Sequence, residues 1–322
     1  MKESKGTVQQ KIGVISEAYA AVSAYEKLVN KGFEVVSSIT NTEEVDGKID
    51  CELTKFAAEQ GVFLGQVIVN DILTYMLKNN ISGDGCKFEI TETGYEGVYD
   101  LETDDIKVIL TKDGALVKEF ALSLKMKTTS GDILAGSDST DAHKFMSIIL
   151  KDTDVLETMP EVVDMYDDKF IKEGLKLVHE EFKSKGLSTL DSKKAKELDS
   201  RLGFNTRDKA SNNLGKALEY ILARVDSETT NKIVNNFLYL AGYKPNVDLG
   251  LILKRKNSSA VTFYTSINCD IYKKILKSDS IVVKYQKSGR FYVEINKLKM
   301  TFNYNNKNSI CPWTNPYKAF NL

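Results

Sequence analysis

From Ile106 to Thr111 apolar and polar positions alternate. Ile106, Val108 and Leu110 fall on one face of an extended strand, while Asp105, Lys107 and Ile109 fall on the other. Lys112-Asp113-Gly114 then interrupts the pattern. In a second alternating run Phe120, Leu122, Leu124 and Met126 oppose Ala121, Ser123, Lys125 and Lys127. Asp-Gly between two such runs predicts a β-hairpin. Its closure brings Asp105 opposite Leu122 or Ser123, according to loop type, and within about two residues of Lys125 across the pair. Ahead of the hairpin the period is helical. Gly13-Val-Ile-Ser16-Glu17-Ala opens an expected helix, with Ser16 as its cap and a stripe of Ile15, Ala18, Val22, Tyr25 and Val29. Glu17 lines up instead with Ala21, Ala24 and Leu28, a second apolar row.

Further elements follow from the same periodicities. A second helix is expected over 56–77, strands near 87–91 and 98–101, and a polar loop over 128–140. Helices are expected over 140–150, 160–185, 192–202 and 209–241, ending at Gly242-Tyr-Lys-Pro245. Strands are expected over 247–254, 260–266, 280–285, 291–295 and 298–304, with a short helix at 270–276. The expected organisation is an α/β core over 1–155, a helical region over 156–242 (a possible insertion into that core) and a β-rich region over 243–322. Whether the first strand pair after Val247 completes the core sheet stays open.

Charge sharpens this division. Residues 251–322 carry thirteen Lys or Arg against three acids, leaving thirty-one basic and forty-two acidic side chains in the first 250. A basic end on an acidic body fits a polyanionic partner. Lys254, Arg255, Lys256, Lys273, Lys274, Lys284, Lys287 and Arg290 are interleaved with Tyr264, Tyr272, Tyr285, Phe291, Tyr292, Phe302, Tyr304 and Trp313. That mixture suits phosphate contacts with base or sugar packing; basic outer faces around an aromatic core is the other reading. The four cysteines show no Cys-x-x-Cys, which excludes a zinc ribbon and fits a reducing compartment. His143 and His179 lack metal-ligand spacing. No apolar run is long enough to cross a bilayer and no secretory h-region is visible, so a cytoplasmic chain, in a bacterial or phage-infected host cell, is expected.

An acid at the mouth of one strand facing a lysine on the next is the arrangement with which metal-dependent nucleases cut phosphodiesters. The acid holds a divalent ion at the phosphate, and the lysine offsets charge in the transition state or orients the attacking water. Asp105 and the run Ala-Leu-Ser123-Leu-Lys125 resemble the PD-(D/E)XK nuclease superfamily over roughly residues 10–130. There an Asp begins one strand and an acid-x-Lys follows on the next, after a helix that carries a Glu. Ser123 stands where the usual acid would be, as in Ser-x-Lys variants among restriction enzymes and phage-encoded members. The resemblance implies a nuclease-like mixed β-sheet core flanked by helices, and a Mg²⁺ (or Mn²⁺) ion held by Asp105, Glu17 and the Leu124 carbonyl. It further implies Lys125 as the transition-state cation, Ser123 acting through its hydroxyl or a bound water, and DNA as substrate, with endonuclease cleavage favoured. Glu59 is the second-choice acid. A homo-oligomer is compatible with all of this. Two other classes remain: an inactive DNA-binding or phage packaging protein that keeps the nuclease fold, and a virion or scaffold protein whose basic end binds an acidic protein surface.

Overall fold

The computed structural model describes residues 5–39, 42, 51–92, 105–127, 133–134, 141–186, 192–240, 247–254, 261–264, 274–275, 277–304 and 310–314. In chain order the elements begin with α1 (Lys5–Asn30), β1 (Glu34–Ser38), α2 (Cys51–Lys78), β2 (Cys86–Glu92), β3 (Ile106–Lys112), β4 (Ala115–Lys127) and β5 (Ile133–Leu134). A helical stretch follows: α3 (Ala142–Ile149), α4 (Val155–Thr158), α5 (Glu161–Tyr166), α6 (Lys169–Ser184), α7 (Ser192–Arg201), α8 (Thr206–Leu222) and α9 (Ser227–Leu240). The chain then adds β6 (Val247–Lys254), β7 (Val261–Tyr264), β8 (Val282–Tyr285), β9 (Phe291–Ile295), β10 (Leu298–Tyr304) and β11 (Ile310–Thr314). The protein is mixed α/β.

Two compact units share the chain, each made of two stretches: residues 1–130 with 243–273, and 131–242 with 274–322. The first holds a six-stranded mixed sheet in the order β1-β2-β3-β4-β6-β7. β1 and β2 are parallel, β2 to β4 form an antiparallel meander, β6 lies parallel to β4, and β7 closes the edge antiparallel. One face of this sheet presents Phe88, Ile90, Ile106, Val108, Leu110, Phe120, Leu122 and Leu124 to Ala20, Ala21, Ala24 and Leu28 of α1 and to Leu64, Ile68 and Ile72 of α2. The helix pair itself packs through small residues. A Cβ on Gly61 would stand 2.6 Å from Tyr19 Cβ, and one on Gly65 would stand 2.7 Å from Ala24 N.

The second unit is a five-stranded antiparallel sheet in the order β5-β11-β10-β9-β8, with helices. Phe145, Phe237, Phe291 and Phe302 form a chain of ring contacts in its core. Gly215 of α8 allows close approach to this sheet, since a Cβ there would come within 2.6 Å of Phe291 Cβ.

Several expectations need correction. Ser16 does not cap α1: it is buried in mid-helix, and its hydroxyl lies 2.9 Å from the Ile12 carbonyl and 3.1 Å from the Ala57 carbonyl of α2. The single helix expected over 160–185 breaks at Asp167 and Asp168, where Asp167 adopts extended ψ. The one expected over 209–241 breaks before α9, where Asp226 accepts from the Thr229 N–H at 2.7 Å and caps a new helix. β1, β5 and β11 were not foreseen. β1 is a short exposed edge strand, and Pro312 hides β11. The expected boundary at 242/243 coincides with a break between the units, whereas the one at 155/156 does not, the break falling at 130/131. Residues 243–322 split, because β6 and β7 hydrogen-bond into the first sheet while β8 to β11 build the second. The strand expected at 98–101 lies outside the described residues, as does most of the short helix expected at 270–276.

Candidate nuclease site

The hairpin turn has φ +51° at Asp113 and +80° at Gly114, the paired positive values of a tight two-residue β-turn. Thr111 pairs with Leu116, but Leu110 pairs with Lys118. Val117 is therefore one residue extra, a bulge that turns Val117 onto the core and leaves Leu116 exposed. Beyond the bulge Ile106 faces Leu122, so Asp105 falls opposite Ser123. The Asp105 N–H donates to the Leu122 carbonyl at 2.9 Å, and the Asp105 carboxylate accepts from the Leu124 N–H. The acid thus stands where the next main-chain carbonyl of the ladder would be. A strand residue points its N–H and C=O toward the same neighbour, so the Leu124 carbonyl opens to this edge too. Ser123 and Lys125 flank Leu124 and pair with Leu249 and Leu251 of β6; their side chains lie outside the described parts.

The pairings orient β1, β2, β4 and β6 alike and β3 oppositely. Four strands therefore end, and β3 begins, at the same end of the sheet, beside Asp105. Running back from β1, α1 carries Glu17 toward this end. α1 reverses into β1 at Gly32, whose φ is +86°, with the Phe33 N–H returning to the Leu28 carbonyl. From Leu28 back to Glu17 the helix rises about 16 Å, close to the roughly 20 Å covered by β2. Glu17 is half-buried, and its row of Ala21, Ala24 and Leu28 is wholly buried as expected. Glu59 is exposed on the outer side of α2 with Val62 and Phe63. Leu253 stands beside Lys127, so Lys254 leaves β6 at the Asp105 end. Periodicity alone did not reveal that Lys254 arrives there; the parallel pairing of β4 with β6 does.

The remaining basic candidates are scattered. Arg255, Lys256 and Lys273 lie outside the described residues. Lys274 and Lys287 are exposed, while Lys284 pairs with Glu294 and Arg290 with Asp208. Arg290 also donates to Asn303 at 3.3 Å. Phe291, Phe302 and Tyr304 are core residues rather than surface rings. Tyr285 donates to Glu219 at 2.8 Å, and burial raises its pKa. The second unit also gathers cations near the start of α8. Burial and the neighbouring Arg207 lower the pKa of Lys196, and burial lowers that of Arg207, against the opposing pull of Asp199. Asp199 accepts from the Thr206 N–H at 3.0 Å and so serves α8 as its cap.

Among the described residues no group of three or more His, Cys, Asp or Glu is placed to hold a metal ion. The Asp105 carboxylate and the Leu124 carbonyl are nonetheless hard oxygen donors on one edge, the type that Mg²⁺ and Mn²⁺ take. Compared with protein-family models, curated proteins and solved structures, the chain matches none.

Proposed function

We propose that the first unit is a Mg²⁺- or Mn²⁺-dependent deoxyribonuclease that hydrolyses internal phosphodiester bonds. The observation that carries this reading is Asp105, seated opposite Ser123 and bonded to the Leu124 N–H, one residue from Lys125 at the end of the sheet where four strands terminate. In this reading Asp105 and the Leu124 carbonyl would hold the ion, with Glu17 as the further acid. A bound ion supplies Lewis-acid polarisation of the phosphate. Lys125 offsets charge that exists only in the transition state, Ser123 orients the attacking water, and Lys254 to Lys256 attract the DNA backbone.

Supercoiled plasmid incubated with Mg²⁺, Mn²⁺ or chelator tests this. Nicking or linearisation with either metal is expected, and none in chelator. Lys125→Ala should lower the rate by about 10²–10³ without changing the circular dichroism spectrum, as for loss of a group that stabilises developing charge. An unmutated chain that leaves plasmid intact with both metals sinks the reading; so does Lys125→Ala with full metal-dependent activity. A second reading, a nuclease-fold DNA-binding or packaging protein without catalysis, draws on two observations. The Asp105 carboxylate is already engaged by Leu124, and no three-acid group stands among the described residues. Gel retention of uncut plasmid would favour it.

A further inference from the structure

Three basic side chains of the second unit gather where α7, the start of α8 and the entry to β9 come together. Lys196 lies one helical turn before Asp199 on α7. Asp199 accepts from the Thr206 N–H at 3.0 Å and from the Thr206 hydroxyl at 2.9 Å, which holds this turn of α7 against the first turn of α8. Arg207 comes next and is 5% exposed; Asp208 then pairs with Arg290, just ahead of β9. Arg290 gives Nε to Asp208 and Nη1 to Asn303, which leaves its Nη2 donors without a partner among the described residues. Lys196 is half-buried and makes no hydrogen bond or ion pair among the described residues. After burial, the charges of Arg207 and Arg290 depress its pKa, against the pull of Asp208. Lys196, Arg207 and Arg290 thus stand against Asp199 and Asp208, an excess of one positive charge. Like charges drawn together out of water repel, and an anion held among them reverses the sign of the interaction.

We propose that Lys196 and Arg290, backed by Arg207, form an oxyanion site for the phosphoryl group of inorganic phosphate or a small phosphate monoester. Lys196 and Arg290 are both partly exposed, so the Lys196 ammonium and Arg290 Nη2 meet the oxygens from the solvent side. Arg207 adds its charge from behind and need not touch the ligand. Guanidinium and ammonium donors form short, charge-assisted bonds to such oxygens. A monoester carries about −1.5 to −2 charge at neutral pH and three acceptor oxygens, a fuller match to this excess than the single charge of a diester. All of these residues belong to the second unit, so the site is independent of the nuclease reading of the first.

Isothermal titration of the full chain with inorganic phosphate, in chloride buffer at fixed ionic strength, tests the site. Trp313, the sole tryptophan, lies in the same unit, so its emission follows melting there. Saturable binding is expected, with an emission transition that phosphate moves to higher temperature and chloride at equal ionic strength does not. Lys196→Gln should weaken phosphate about ten- to a hundredfold, the loss of one charge-assisted hydrogen bond. Lys176→Gln, which removes an exposed α6 charge outside this cluster, should leave the affinity as it was. An oligonucleotide without terminal phosphates should not displace phosphate. Absence of both heat and transition shift overturns the proposal, as does full affinity in a natively folded Lys196→Gln. An equal loss in Lys176→Gln overturns it too, because the attraction would then be general to the surface. Displacement by the oligonucleotide would give the site to diester backbones and overturn the choice of ligand. Should Lys196→Gln fail to fold, the titrations of the unmutated chain with phosphate, chloride and oligonucleotide decide.

Discussion

A carboxylate drawn out of water favours its neutral form, and Asp168 of the second unit is such a group. It is half-buried, accepting from the Ala142 N–H at 3.5 Å and from the Tyr304 hydroxyl at 3.4 Å, both long bonds. Burial raises its pKa above the ordinary 3.8, and Asp141 and Asp167 push the same way against the two hydrogen bonds. Burial and Asp168 together raise the pKa of Tyr304 as well. A folded-state pKa raised above the unfolded one means that the stabilising contribution is present in full below the unfolded value. It is lost as the pH rises through the folded value. Asp168→Asn is neutral throughout. The melting temperature of the variant minus that of the unmutated chain should therefore climb as the pH rises above 3.8 and level off once the raised folded-state pKa is passed. Thermal melts at a series of pH values measure it, and a difference that stays flat or falls contradicts the assignment.

Between elements, α1 packs closely against α2. Gly61 and Gly65 sit one helical turn apart on α2 and meet Tyr19, Ala20, Ser23 and Ala24 of α1 with no room for a side chain. Ser23 donates across the same interface to the Val62 carbonyl at 3.0 Å. Gly→Ala in a helix interior ordinarily gains about 1 kcal/mol of propensity. At Gly65 that gain is opposed by overpacking, which costs roughly 1–3 kcal/mol and more where backbone must move. Gly65→Ala should therefore lower stability in denaturant titration, whereas Glu59→Ala, exposed on the same helix, should change it by about 0.5 kcal/mol or less. A neutral or stabilising Gly65→Ala would mean that the helices stand farther apart. This pair also carries Glu17, so under the proposed nuclease function a shift of α1 should reduce metal-dependent cleavage along with stability.

Across the whole molecule, each unit encloses its own core: Phe88 is buried in the first, Phe237 in the second. Units with separate cores unfold with separate free energies unless their interface is large and apolar. Trp313 lies in the second unit and supplies a selective signal. Phe237→Ala should cost about 3–5 kcal/mol in that unit and move the tryptophan emission transition. Phe88→Ala should move the transition seen by circular dichroism while leaving the emission transition in place. A common shift in both signals for either variant would show one cooperative body instead.

Much of this architecture was legible in local pattern. The Asp113-Gly114 turn, the alternation of Ile106, Val108 and Leu110 against Phe120, Leu122 and Leu124, and the buried row of Ala21, Ala24 and Leu28 all follow from chain periodicity. Pairing register did not. Whether Asp105 meets Leu122 or Ser123 turns on one bulged residue, Val117, and the core selects Val117 over Lys118 only when both strands and the helices above them are present. The meeting of Ala121 with Val247, far apart in the chain, is equally invisible to local pattern. So is the division of residues 251–322 between two sheets, which turns the expected aromatic surface into core at Phe291, Phe302 and Tyr304 and leaves Tyr292 and Trp313 outside. A strand's sequence sets which side chains share a face; the burial of that face against distant segments decides what the face meets.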